Sequence, residues 1–258
     1  MRPLRKLLFV GLLALLVAAA TASIASALHL QVGDIVVEAE GGFAPQALPR
    51  HENAPITIHG GGSISTASGE LPPVLKELTF LFDRHGSVET TGLAHCTLAK
   101  LSATDTASAR AACPQAIVGE GAGTAIVKFP EQAPIKASSP ITLFNGPPGP
   151  HGDPTVLAHA YLSVPAPTTY IVPIVIEPIH DGIYGYRTKA TIPKIAGGYG
   201  VPISGHLEIG KKWTYQGKEY SYVNARCETG KLQAQGEFTF TEGTKLSATF
   251  IKQCKVRS

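Results

Sequence analysis

The chain carries 9 His and 19 Asp or Glu residues, enough for many acid–base pairs, so their spacing has to decide which could do chemistry. Asp83 and His85 stand two apart in Asp83-Arg84-His85-Gly86. A carboxylate beside an imidazole makes an acid–base pair or two metal ligands. The same four residues also suit a tight turn, because Asp accepts from backbone N–H groups and Gly tolerates positive φ. His151 and Asp153 lie in the loop Gly149-Pro150-His151-Gly152-Asp153, and loops often carry functional side chains. That composition equally describes an ordinary loop tip. His159 and Glu177 fall in or near strand-like runs, His180-Asp181 in the turn that follows, and Glu131 in a Pro-flanked loop. Two carboxylates held about 5 Å, or about 6.5–9.5 Å, apart in a cleft would hydrolyse a glycoside. Nothing in their spacing sets such a distance.

Several reaction classes lack their motifs. There is no His-Glu-x-x-His and no Gly-x-Ser-x-Gly, so neither a zincin protease nor an α/β-hydrolase elbow is encoded. Gly60-Gly61-Gly62-Ser63 lacks the lysine and the following helix of a phosphate-binding loop and reads as a turn or bulge. The best binding candidate is aromatic. Trp213 and Tyr215 are placed to face Tyr220 and Tyr222 across a turn near Gln216-Gly217-Lys218, with Lys211, Lys212 and Lys218 alongside. Aromatic faces with cations take sugars or polymers. The same pattern fits a buried cross-strand ladder with a lysine rim.

The four cysteines are Cys96, Cys113, Cys227 and Cys254. Their even number in a chain with an export signal reads as two disulfides. Of the three possible pairings, the two clusters favour Cys96–Cys113 and Cys227–Cys254, each adding roughly 3 kcal/mol by restricting the unfolded chain. Structural zinc wants Cys-x-x-Cys spacing, which is absent. With all four paired, no thiol is left as a nucleophile. No metal or cofactor is expected.

The elements that position these residues are mostly strands. Short β-capable runs alternate with turn signals throughout, the mark of an antiparallel β-sandwich, as one large unit or two fused lobes. Lys76–Thr91 reads as a hairpin, with Leu78, Phe80 and Phe82 on one face by the period of two. Leu28–Glu40 reads as one strand, Trp213–Val223 as a hairpin and Glu237–Ile251 as a terminal hairpin. Cys96–Cys113 is the helical island, with Asp105 or Thr104 as cap, a helix over Thr106–Ala112, and Pro114 as the stop. Gly119, Gly121 and Gly123 within the Ala116–Phe129 strand suggest a bulge or a close backbone approach.

At the N-terminus, Arg2, Arg5 and Lys6 precede the apolar run Leu7–Ala20, and Ala25-Ser26-Ala27 fits a small-x-small cleavage site. Residues 1–27 therefore read as a secretory signal peptide. An apolar run of about 14 residues is shorter than the roughly 20 needed to span a bilayer, so an uncleaved anchor is the lesser alternative and the only route to a membrane. No cysteine precedes Cys96, which argues against a lipobox. The remaining residues 28–258 form the exported β-rich domain, with a possible sub-boundary at 146–154.

Removing the leader takes three basic residues and no acidic one, leaving 19 of each sign. A neutral domain has no whole-molecule attraction to nucleic acid. The charges are nevertheless divided. Leu28–Tyr186 holds 7 basic and 14 acidic residues, and Arg187–Ser258 holds 12 basic and 5 acidic. Such an asymmetry suits either a partner surface or two halves that attract each other.

The segments Leu75–Gly86, Gly92–Cys96, Ala116–Gly121, Phe129–Pro134, Leu143–Gly146, Val164–Thr168 and Ile192–Gly198 together carry a resemblance. The chain resembles, over most of residues 28–258, a group of uncharacterised exported proteins of high-GC Gram-positive bacteria. The resemblance implies export and one cohesive unit and lends no catalytic residue. The expectation is a non-enzymatic exported protein of the cell envelope or its surroundings, binding wall polymer or an envelope protein through Lys211, Lys212, Trp213, Tyr215 and Lys218. The alternative is a secreted, glycosidase-like hydrolase using Asp83, His85, Glu131 or His159. The residues do not set the oligomeric state.

Overall fold

A computed structural model describes residues 28–257. The expected signal segment, residues 1–27, lies outside the described residues. Leu28–Glu40 is two strands: Gly33, with φ +59°, turns β1 (Leu28–Val32) into β2 (Ile35–Ala44). Next come β3 (Ala47–Leu48), β4 (Ala54–Pro55), β5 (Thr57–Thr66), β6 (Leu75–Asp83) and β7 (Gly86–Val88). Helices α1 (Leu98–Leu101) and α2 (Thr106–Ala112) follow. The central strands are β8 (Ile117–Val127), β9 (Ile135–Asn145), β10 (Thr155–Leu162), β11 (Thr168–Asp181), β12 (Tyr184–Thr191) and β13 (Gly200–Ile209). The chain closes with β14 (Lys212–Tyr215), β15 (Lys218–Ser221), β16 (Val223–Ala225), β17 (Lys231–Phe240), β18 (Lys245–Gln253) and β19 (Lys255–Val256).

Twelve of these strands form one antiparallel sheet in the order β1-β2-β5-β13-β8-β9-β10-β11-β12-β6-β17-β18. The fold is mainly β, as the alternation implies. The sheet runs unbroken across 146–154, the loop that joins the paired neighbours β9 and β10. It rolls until β18 packs against β1 and β2, so its two ends meet nearly as a barrel, through side chains. Ile35, Val37 and Ala39 of β2 and Ile64 of β5 meet Phe238 and Phe240 of β17 and Leu246 and Ala248 of β18 in one buried cluster.

Glycine allows the tight curvature between β8, β13, β5 and β2. A Cβ added at Gly121 would collide with the His206 carbonyl, and one at Gly62 with that of Glu38. The close approach expected of Gly121 is therefore present. Gly60-Gly61-Gly62, expected as a turn or bulge, instead lies inside β5 in continuous register with β13 and β2.

One end of the rolled sheet is filled by a small sheet, β4-β16-β7, with Tyr222 fully buried beside it among Phe43, Leu48, Ile56, Leu143 and Val156. This corrects the Lys76–Thr91 hairpin. Both edges of β6 are already taken by β12 and β17, so β7 leaves the main sheet and pairs with β16. The inward stripe of Leu78, Phe80 and Phe82 holds, because these residues register against Phe238, Gly236 and Ala234.

Both local disulfides form, Cys96–Cys113 and Cys227–Cys254. They point to an oxidising, extracytoplasmic environment. The helical island is two short helices. Asp105 caps α2 by accepting from the Ser108 N–H at 2.7 Å, and Pro114 opens a 3-10 turn over Pro114–Ala116. Leu101, Ala109 and Ala116 press onto Phe144 of β9 and Leu157 of β10, on the opposite face from the main core. No helix among the described residues is long and apolar enough to cross a membrane.

Candidate functional site

Asp83 ends β6 and His85 stands two residues on, in the turn before β7. Asp83 Oδ1 accepts from the His85 backbone N–H at 2.9 Å and lies 2.7 Å from His85 Nδ1. Its Oδ2 accepts from the Gln233 N–H at 3.0 Å, tying the turn to β17. On the other side of the ring, Nε2 stands 3.2 Å from Glu228 Oε2, which also accepts from Arg226 Nε at 3.1 Å. Arg226 N–H in turn donates to the His85 carbonyl at 3.0 Å. Carboxylates only accept, so the ring donates from Nδ1 to Asp83, while Nε2 faces the Glu228 carboxylate. Asp83 and His85 are 9% and 5% exposed, so the pair is walled in. Arg226 beside Glu228 holds that carboxyl below its ordinary range, mainly by hydrogen bonding. With both ring nitrogens and both Asp83 oxygens occupied, this arrangement clamps three segments together and leaves no free base.

The second histidine is His159 of β10, which is 0% exposed beneath the helical island. Its Nε2 lies 3.1 Å from the Thr104 carbonyl and 3.2 Å from Thr104 Oγ1. Thr104 Oγ1 donates onward to the Leu101 carbonyl at 2.6 Å, so it accepts from the ring and Nε2 carries the proton. Nδ1 is buried without a hydrogen-bond partner. Burial, the largest influence, pushes this imidazole below its ordinary value of 6.5.

The other acid–base candidates do not join these two. Glu131 is exposed in the β8–β9 loop with φ +59°. His151 is exposed and Asp153 half-buried in the β9–β10 loop. Glu177 is engaged by Arg187, whose Nη2 is 2.8 Å away. His180 and Asp181 edge an open groove of about 420 Å³ on the outer sheet face, with Thr79, Gln235 and Glu237 beside them. Glu131 lies in the loop between β8 and β9, His159 under the helices and Asp83–His85 beside the small sheet. No single cleft gathers the four residues of the hydrolase alternative.

The aromatic hairpin is built as its spacing implies. Gln216 and Gly217 turn it with φ of +50° and +76°, the two positive values of a type I′ turn. The register sets Trp213 opposite Tyr220 and Tyr215 opposite Lys218, all on one face. The Trp213 and Tyr220 rings stack at 5.7 Å, and Lys218 Nζ stands 5.2 Å from the Tyr220 centroid. The base of this face is pinned: Trp213 Nε1–H donates to the Thr91 carbonyl at 3.0 Å, and Tyr215 lies over Gly92. Its tip is open, with Tyr215 38% exposed and Lys218 exposed. Lys211 is half-buried and donates to the Gln115 carbonyl at 2.5 Å, and burial lowers its ammonium. Lys212 is exposed opposite Ser221, on the other face. Tyr222, expected in the ladder, has instead entered the core.

Two participants escaped the sequence reading. Glu228 lies far along the chain from His85, and its only signal is the adjacent Cys227. Thr104 reads in the sequence only as a helix cap, yet it holds His159. No protein-family model matches the chain, and no curated protein matches it.

Proposed function

We propose that the chain is an exported, non-enzymatic binding protein of the cell envelope, led out by residues 1–27, and that it holds a wall polymer or envelope protein at the tip of the β14–β15 hairpin. The observation that carries this reading is the hairpin itself. It stands outside the twelve-stranded sheet, its base is fixed on the Thr91–Gly92 loop, and its tip presents Tyr215 and Lys218. Lys218 already stands over the Tyr220 ring, and a pre-set aromatic–cation pair loses little side-chain entropy on binding. The acid–base residues support the same reading, since the two buried histidines are consumed in holding segments together.

The test is co-sedimentation of the purified, oxidised protein with isolated cell walls across a salt series, beside Trp213→Ala/Lys218→Ala. Pelleting that fades with salt and drops several-fold in the double variant supports the proposal. Equal pelleting of both proteins removes the hairpin from the contact. No pelleting at low salt removes the envelope reading.

A further inference from the structure

Around Cys227–Cys254, three distant segments converge and bring basic residues with them. Cys227 N–H donates to the Pro49 carbonyl at 2.8 Å, and Cys254 N–H to Gly230 at 2.9 Å. Lys255 and Arg257 N–H groups donate to Gln46 and Leu48, each at 2.8 Å, as β19 pairs in parallel with β3. These bonds bring Arg50, Lys231, Lys255 and Arg257 to one corner, all four exposed. None of them has an ion-pair partner among the described residues, although their neighbour Arg226 has Glu228. The acidic side chains nearby are Glu52 and Glu228, and Glu228 is already held by Arg226 and His85.

We propose that this corner is an anion-binding surface for a polymer with repeated phosphate or carboxylate groups, separate from the hairpin tip. Because residues 28–258 carry equal numbers of each sign, attraction to a polyanion has to come from a local patch. The cations are spread along three segments, which suits a ligand that repeats its charge. Two of the four are arginines, whose planar guanidinium grips such oxygens bidentately. A membrane surface fits less well. By strand alternation the exposed Val256 points away from Lys255 and Arg257, so the charged side lacks an apolar wedge.

The test is a titration of the oxidised protein with long-chain polyphosphate, and in parallel with polyglutamate, over a salt series. Lys255→Glu/Arg257→Glu is compared with Lys128→Glu/Lys136→Glu, which makes the same charge change at exposed sites just after β8 and at the start of β9. The expected result is at least a tenfold loss and a shallower salt dependence for the corner variant, and less than a twofold change for the control. Which polymer binds tells phosphate from carboxylate. Trp213→Ala/Lys218→Ala, run alongside, should bind these probes like wild type, so failure of the hairpin reading is distinguishable. Equal losses in the two charge variants would overturn the proposal, as would no wild-type binding at low salt. Tighter binding to phosphatidylglycerol vesicles than to either polymer would also overturn it. If the reversal disturbs the near-ultraviolet circular dichroism, Lys255→Gln/Arg257→Gln gives the same comparison.

Discussion

His85 and His159 are both buried, yet their surroundings are opposites. His85 has a carboxylate oxygen at each ring nitrogen, within a network that reaches Gln233 and Arg226. His159 has one carbonyl and one hydroxyl at Nε2 and nothing at Nδ1. The first ring is held between two carboxylates, and burial keeps the second neutral. Burial alone therefore says little about what a histidine does. The neighbours decide, and at both places they use the ring to join segments of chain. The His85 corner joins the β6–β7 turn, β17 and the stretch after β16, while His159 joins the helical island to the sheet.

The comparison breaks most visibly at the charged corner. His85→Ala removes the imidazole between two carboxylates and leaves Asp83 buried with backbone donors only. A loss of about 3 kcal/mol is expected in urea unfolding, the low end for breaking a buried pair, because the N–H groups of residues 85 and 233 remain. A change below about 1 kcal/mol would show that the corner does not hold the fold.

At His159 the larger effect is on pH dependence. The fold keeps this ring neutral, while in the unfolded chain it binds a proton as the pH falls through its ordinary value of 6.5. The unfolded state then holds more protons, so this contribution to stability is complete above 6.5 and is lost as the pH falls toward the lowered folded value. Unfolding of wild type and His159→Phe at pH 7 and pH 5 checks the sign. The variant should lose less stability on acidification and differ by no more than about 2 kcal/mol at pH 7. An equal acid loss in both proteins would place the sensitivity elsewhere.

The smallest effect is expected at the rim of the island. Arg110 reaches Glu120 at 3.3 Å and Thr142 at 3.4 Å from an exposed position. Solvent screening limits such a pair, so Arg110→Ala should cost less than about 1 kcal/mol. A larger loss would mean that Arg110 helps seal His159.

Where the information was local, the residues were legible. The Leu78, Phe80, Phe82 stripe, the Asp105 cap and the Gln216-Gly217 turn each depend on a few neighbouring positions, and the two disulfides on the clustering of four cysteines into two pairs. What could not be read was where a strand goes after its turn. Asp83-Arg84-His85-Gly86 looks like a hairpin turn, but β17, far along the chain, occupies the edge that the return strand would need. The glycines of β5 looked like punctuation because the carbonyl that forbids a side chain at Gly62 belongs to another strand. The site followed the same rule. Asp83 and His85 were visible as a pair, whereas Glu228 and the pairing of β3 with β19 depend on long-range contacts that no spacing records.

The central claim is that the buried histidines hold the fold while exposed side chains do the binding. The most direct test is wall co-sedimentation of His159→Phe and Trp213→Ala/Lys218→Ala beside wild type at low salt. The account predicts that His159→Phe pellets like wild type and that the hairpin variant falls several-fold. Loss of pelleting in a folded His159→Phe, with the hairpin variant unaffected, would contradict it.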